Sequence, residues 1–235
     1  MKKGKMLYEG KAKKIYETDN KDQLICEFKD DATAFDGKKK DQIKEKGKLN
    51  AEISTIFFNL LEEKGIPTHF VKKLNETDIL IRRLEIIPVE VVVRNIAASS
   101  LAGRLGLKEG RIMKKTVLEF YFKSDELGDP LINEYHIYAE GLAEEDEINL
   151  IKKMAVDIND IMAQFLGKRG IDLVDFKLEF GRDKTGKVLL GDEISPDTCR
   201  FWDSKTKEKM DKDRFRQDLG EVISGYQEVL ARLQK

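Results

Sequence analysis

Histidine and cysteine are nearly missing from this chain, with two of each in 235 residues. Cys26 and Cys199 lie far apart and form no Cys-x-x-Cys pair. That spacing indicates neither a zinc site nor a disulfide framework, and reduced thiols in a cytosol are the plain reading. His69 and His136 fall in no metal-ligand spacing and receive no role. An excess of one charge is also missing: 43 basic residues face 44 acidic ones, for a net charge of −1. A dedicated nucleic-acid binder carries a basic excess, so no nucleic-acid partner is expected. Lys38-Lys39-Lys40 then reads as part of a solvated loop. No run approaches the roughly 18 apolar residues of a membrane helix. Met1 to Lys5 is basic but has no apolar run behind it, so neither a signal peptide nor a membrane association is expected. There is no Gly-x-Gly-x-x-Gly, no Walker-type Gly-Lys-Ser/Thr, no nucleophile elbow and no Ser-His-Asp pattern.

What is present can build a core. Apolar residues make up 40 % of the chain, which excludes wholesale disorder. Charged residues reach 37 %, against roughly 25 % in ordinary soluble proteins, and imply a salt-bridged surface. The length suits one large domain or two small lobes sharing a cleft.

Leu7 to Phe28 is strand-like, with Gly10-Lys11-Ala12-Lys13 at a hairpin tip and Asp19-Asn20 at a second turn. Lys29 to Lys48 has almost no apolar periodicity and reads as a mobile loop. Leu49, Ile53, Ile56, Phe57, Leu60 and Leu61 fall at helical spacing, and Gly65 and Pro67 stop that helix. Asp78 to Arg83 predicts a short strand, and Pro88 to Arg94, with its valines, a buried one. Ala97-Ala98-Ser99-Ser100 opens a short helix. Glu144 to Gly170 predicts a long amphipathic helix, and Asp213 to Leu233 the last one. There is no repeat and no low-complexity linker. The reading is α+β: a smaller strand-rich lobe, residues 1–84, joined near Leu84 to a larger lobe, residues 85–235.

The stretch from Leu173 to Glu193 carries the sharpest signal. Val174, Phe176, Leu178 and Phe180 point one way; Asp175, Lys177 and Glu179 point the other. A turn that pairs Asp183 with Gly186 sets Lys177 opposite Asp192 and Glu179 opposite Leu190. Glu179 and Asp192 are then diagonal neighbours, roughly 7 Å apart at their backbones. Two carboxylates with few other ligands suit magnesium, which completes its shell with water and phosphate oxygens. Lysines beside them suit a triphosphate. A charged outer face on a solvent-exposed strand fits the same pattern.

Other candidates are weaker as pattern alone. Amides and lysines of Gly10 to Lys13 could cover phosphates, although surface hairpins often hold Gly and Lys. Arg94, followed by Ser99 and Ser100 at a helix start, suits a phosphate monoester, while serine capping explains the serines equally well. Arg200 could be a second clamp or a surface arginine.

These residues now carry a resemblance. Leu173-Val174-Asp175-Phe176-Lys177-Leu178-Glu179-Phe180-Gly181 resembles one signature of the SAICAR synthetases (phosphoribosylaminoimidazole-succinocarboxamide synthases). Pro88-Val89-Glu90 through Arg94 to Ser100 is similar to the other. Tyr8 to Lys13, Gly191 to Trp202 and Lys209 to Arg216 also match, in order, over nearly the whole chain. Ser99 stands where the family motif has glycine, so a positive φ there would strain it.

The resemblance implies a cytoplasmic ligase of purine biosynthesis that uses ATP and Mg2+. It joins L-aspartate to the carboxylate of carboxyaminoimidazole ribonucleotide (CAIR) through an acyl phosphate. It implies a two-lobed fold, kinase-like in the first lobe and ATP-grasp-like in the second, often as a homodimer. By motif match, Glu179 and Asp192 resemble metal and nucleotide ligands. Lys11, Ala12, Lys13 and Lys123 resemble the nucleotide site, and Arg94, Ser100 and Arg200 the ribonucleotide phosphate site. Lys177 and Asp175 are candidates for contacting the reacting carboxylate, and Asp36 for closing over the substrates. A small-molecule or protein kinase would share the ATP lobe, but a protein kinase needs His-Arg-Asp and Asp-Phe-Gly, and neither occurs.

Overall fold

The computed structural model describes residues 2–34 and 39–235, so the Asp36 candidate lies outside the described residues. Three strands open the chain: β1 (Met6–Glu9), β2 (Lys13–Glu17) and β3 (Gln23–Phe28). Next come β4 (Asp31–Ala34), β5 (Lys39–Gln42), α1 (Lys46–Glu63), β6 (Phe70–Lys73) and β7 (Asp78–Arg82). A second series follows: β8 (Glu85–Ile96), α2 (Ser99–Leu105), β9 (Ile112–Phe122), β10 (Leu131–Ile132), α3 (Glu134–Ala139) and α4 (Glu145–Gly167). The chain ends with β11 (Ile171–Arg182), β12 (Val188–Leu190), β13 (Cys199–Asp203), α5 (Asp213–Arg216) and α6 (Val222–Leu233).

The first sheet has the order β1-β2-β3-β7-β6, and its neighbouring strands are antiparallel. The second runs β10-β9-β8-β11-β12, with β13 also on β11. Strand β11 is its axis. One edge pairs with β8 along most of its length; the other pairs first with β13 and then with β12. The alternation read from the sequence decides the faces. Val89, Val91, Val93, Phe176, Leu178 and Phe180 turn into the core, and α4 packs against β8 and β11. Glu90, Arg94, Asp175, Lys177 and Glu179 point to the opposite face, since side chains alternate along a strand. There they meet the cleft to the first sheet. One continuous apolar core joins Cys26, Phe28 and Ile79 of the first sheet to Val91 and Phe176 of the second, with α1 packed against both sets of elements.

Three expectations change. The stretch from Lys29 to Lys48 is not simply a loop: β4 and β5 form an antiparallel pair, and α1 begins at Lys46. Backbone pairing and the Asp30 carboxylate, which accepts from Gly47 N at 2.9 Å, hold this hairpin without an apolar stripe. Close packing fixes Gly47, where a Cβ would sit 2.6 Å from Phe28 O. The last helix is two helices, α5 and α6. Left-handed residues Asp218 (φ 54°), Gly220 (φ 71°) and Glu221 (φ 46°) break it.

The third change is the turn after β11, which is one residue longer than expected. Asp183 N donates to Lys187 O at 2.9 Å, and Gly186 takes φ 83°. The Asp183 carboxylate accepts from the amides of Thr185 and Lys187. A three-residue loop closed by a left-handed glycine is a common hairpin solution. It moves the register, so that Phe180 pairs with Leu190 and Glu179 lies opposite Gly191.

Candidate active site

A cleft of about 910 Å³ runs between the two sheets. Its floor is the polar face of β8, β11 and β13. Glu179 sits across from Glu90, Lys177 across from Val92, and Asp175 across from Arg94 on one side and Arg200 on the other. Asp175 and Glu179 are 3 % and 4 % exposed, so this row is not a solvent-facing strand.

At the centre of the floor, Lys177 Nζ donates to Glu90 Oε1 at 2.6 Å and to Glu179 Oε1 at 2.9 Å. Lys123, just past the end of β9, donates to the same Glu179 oxygen at 2.8 Å. Burial opposes the charge on Lys177, but Glu179, Asp192 and Glu90 more than offset it and raise its pKa. Lys123 is raised in the same way, mainly through Glu179. Burial pushes the Glu90 carboxyl up against the pull of Lys177. Both lysines are therefore cations at neutral pH and act as electrostatic clamps, not bases.

Asp192 reaches this cluster by another route than strand register. It lies beyond β12 at φ 57° and pairs with Lys13 from the first sheet. Lys13 also meets Glu193 at 3.0 Å. Burial would raise the Asp192 carboxyl; Lys13, Lys177 and Lys123 hold it well below the usual range. Glu179 thus bonds Lys177 and Lys123 while Asp192 pairs with Lys13 and feels the charge of the other two lysines, and their predicted diagonal pairing does not occur. Among the described residues no three His, Cys, Asp or Glu side chains cluster as a complete metal site. Two hard carboxylates beside lysine ammonium groups fit magnesium, which needs few protein ligands. Lys11 and Ala12 line the same end of the cleft, where Lys11 pairs with Asp125 at 2.7 Å. Apolar Ile15, Leu24, Ile81, Leu84 and Ile86 wall it from both sheets.

The other end is built on arginine. Arg94 is 4 % exposed and spends its donors on Glu119 (2.7 Å), Asp175 (3.0 Å), Ser100 Oγ (3.1 Å) and Tyr121 Oη (3.1 Å). Arg200 donates to both oxygens of Asp175 and, through Nε, to Asp213 at 2.9 Å. Asp175 is therefore clamped between two guanidinium groups, while Lys177, two residues along the same face, belongs to the carboxylate cluster. Ser99 has φ 47°, so the positive angle foreseen at this motif position is present and serine bears it.

Sequence reasoning did not single out Glu90, Glu193, Glu119, Tyr121 or Asp213. Glu90 shared the alternation of a strand already marked as buried, which was a usable signal. Glu193 and Asp213 lie in stretches that carry the family likeness, whereas Glu119 and Tyr121 depend on tertiary pairing and had no signal. Deeper still, Lys46 and Asp197 form a buried ion pair at 2.5 Å, and Tyr226 Oη donates to Asp197 at 2.6 Å.

A family model described as SAICAR synthetase matches residues 6–233. A phosphoribosylaminoimidazole-succinocarboxamide synthase of Clostridium perfringens (strain SM101 / Type A) is 59 % identical over 228 residues, which is 97 % of each chain. One from Caldanaerobacter subterraneus subsp. tengcongensis is 57 % identical over the full length of both. Among solved structures, the synthase from Ehrlichia chaffeensis superposes with a TM-score of 0.96 at 45 % identity, covering 98 % of both chains. A SAICAR synthetase in complex with ADP superposes with a TM-score of 0.94 at 54 % identity, covering 96 % of both.

Proposed function

The chain belongs to the SAICAR synthetase family, and from that premise we infer that its inter-sheet cleft carries out the family's ATP-dependent ligation of purine biosynthesis. L-Aspartate is joined to the carboxylate of CAIR, giving SAICAR, ADP and phosphate. One observation carries the assignment of the site. The lysine–carboxylate cluster and the two-arginine pocket share one face of β11, with Lys177 only two residues from Asp175. That spacing is about 7 Å along the strand, so the two groups of side chains face one continuous cleft.

The ADP seen with a 54 % identical relative supports nucleotide in the apolar-walled end. There Lys11, Lys13 and Lys123 face the phosphates, and Ala12 leaves room for them. Glu179 and Asp192 would hold magnesium, which supplies charge neutralisation on the β- and γ-phosphates. Arg94, Ser100 and Arg200 take the phosphate of CAIR, positioned by Asp175, Glu119 and Asp213. The CAIR carboxylate then points toward Lys177, which steadies its charge while one of its oxygens attacks the γ-phosphorus. ADP leaves, and a mixed acyl phosphate forms on the substrate. The amine of L-aspartate attacks that carbonyl, phosphate departs and the amine loses its proton. No enzyme nucleophile is needed; positioning and electrostatics carry the rate.

Residues 1–84 serve as the nucleotide lobe and 85–235 as the substrate lobe. Residence in a reducing cytosol fits two buried unpaired thiols. A homodimer fits the exposed apolar side chains Ile112 and Tyr135, 74 % and 82 % exposed.

The test measures SAICAR and ADP with wild type and Glu179→Gln. Wild type should form SAICAR only when ATP, CAIR and L-aspartate are all present. The variant should lose at least about a hundredfold in kcat. Turnover to a phosphorylated product regardless of L-aspartate would instead identify a kinase.

A further inference from the structure

Arg104 does not line the cleft, yet both side chains that its guanidinium bonds also bond Arg94. It sits in α2, the helix that Ser99 and Ser100 open, and its side chain is 34 % exposed. Its Nη1 donates to Tyr121 Oη at 2.9 Å, and its Nη2 donates to Glu119 Oε1. Arg94 takes the other carboxylate oxygen, with Nε on Glu119 Oε2 at 2.7 Å. Arg94 Nη2 donates to the same Tyr121 Oη at 3.1 Å. Tyr121 in turn donates to Glu119 Oε2 at 3.0 Å. These side chains close a ring in which Glu119 is divided between an inner and an outer guanidinium. The inner pair is buried, with the side chains of Arg94 and Glu119 5 % and 11 % exposed.

The division decides what Arg94 can offer. Nε and Nη2 share one edge of a guanidinium, and a carboxylate readily takes such an edge with both oxygens. Glu119 already holds Nε. With Oε1 free it would close on Nη2 as well, as a partner roughly twice as strong as a neutral hydroxyl. Arg104 holds Oε1 away. Nη2 is left with two neutral oxygens, Tyr121 Oη and Ser100 Oγ, both at 3.1 Å. An incoming phosphate oxygen displaces a hydroxyl from that nitrogen more readily than it displaces a carboxylate.

The other arginine is built the same way. Asp213 Oδ2 accepts from Arg200 Nε at 2.9 Å. Its Oδ1 accepts from Arg216 Nη1 at 2.7 Å and stays 3.4 Å from Arg200 Nη2. There too an outer arginine draws one carboxylate oxygen off the edge of the inner one. We propose that Arg104 is a positioning residue for the ribonucleotide phosphate: by holding Glu119 Oε1 it stops that carboxylate from closing over Arg94 and keeps Nη2, beside Ser100, open to the anion. Arg104 does this without touching the substrate. The inference rests on the phosphate of CAIR binding at Arg94 and Ser100.

Calorimetry of CAIR binding tests it, with ADP binding at the other end of the cleft as the folding control. Arg104→Gln should raise the Kd for CAIR about tenfold, the worth of one hydrogen bond to a charged group, and leave that for ADP within about twofold. The decisive variant combines Arg104→Gln with Glu119→Gln. It removes the carboxylate that would cover Arg94, so the Kd for CAIR should return to within about threefold of wild type. A surface ion pair of no consequence predicts wild-type affinity in Arg104→Gln, and that result would overturn the proposal. A direct phosphate contact by Arg104 predicts no recovery in the double variant, which would overturn it as well. So would parallel loss of CAIR and ADP affinity in Arg104→Gln, the mark of general loosening. Arg94→Gln separates this from the site itself: it should weaken CAIR at least about tenfold. Unchanged CAIR affinity in Arg94→Gln would remove the phosphate-site reading and this inference together.

Discussion

Asp175 accepts two hydrogen bonds from a single nitrogen of Arg200, at 2.9 and 3.0 Å. Arg94 approaches the same carboxylate from β8 at 3.0 Å. The carboxylate spaces and orients two guanidinium groups, and at the proposed ribonucleotide-phosphate site it would act as a positioning residue. Asp175→Asn should raise KM for CAIR about 10- to 100-fold, the range for breaking a buried charge-assisted pair, and leave KM for ATP within about twofold. Steady-state kinetics with each substrate varied separately read this out. Unchanged or tighter CAIR binding would mean that Asp175 competes with the substrate for the arginines.

Ser99 bears φ 47° at an exposed position where the family motif has glycine. A left-handed angle costs a side-chain-bearing residue roughly 1–2 kcal/mol, part of which glycine loses again to its freer unfolded chain. Ser99→Gly should therefore stabilise by roughly 0.5–1 kcal/mol and raise Tm by about 1–4 °C. Calorimetry of the two proteins checks it. A lower Tm would show that the serine side chain makes a compensating contact.

Asp211 is fully buried and accepts from the amides of Phe201 (2.9 Å) and Asp213 (2.8 Å). Burial, with the Asp213 charge beside it, pushes its carboxyl up to about 7. Unfolded, it titrates near 3.9. Between about pH 4 and pH 7 the folded state holds a proton that the unfolded chain has released. This group's contribution to stability therefore falls as pH rises through that window. Asp211→Asn removes the effect. The stability gap between wild type and variant should be larger at pH 5 than at pH 8, by about 1–3 kcal/mol in urea titrations. A gap independent of pH would contradict the shifted carboxyl.

Much of this site could be read from the sequence because β11 alternates from Asp175 to Phe180, which sets Asp175, Lys177 and Glu179 on one face. Before Asp175 the register shifts, so that Leu173 enters the main core and Val174, expected on the face of Phe176, packs instead with Ile96, Ala98 and Trp202. Register was less legible. It hung on whether Asp183 closes a two- or a three-residue loop, and the Asp183 carboxylate and the left-handed Gly186 decided for three. Asp192 still meets the cluster because its backbone turns left-handed after β12, which no spacing rule announces for aspartate. The same blindness merged α5 with α6. Apolar spacing from Phe215 to Leu230 continues across a break made by Asp218 and Glu221 as well as Gly220. Pairings such as Arg200 with Asp213 or Lys13 with Glu193 join residues from separate elements, and only the fold brings them together.

Activation of the CAIR carboxylate as an acyl phosphate, before L-aspartate attacks, is the step on which the proposed ligation turns. Forming the amide must remove one oxygen from that carboxylate, and the fate of that oxygen separates the mechanisms. With CAIR carrying 18O in its carboxylate, each turnover should deliver one labelled oxygen to inorganic phosphate, seen by the isotope shift of its 31P resonance. Unlabelled phosphate formed alongside SAICAR, with the label lost to water, would contradict both the acyl phosphate and the proposed role of Lys177.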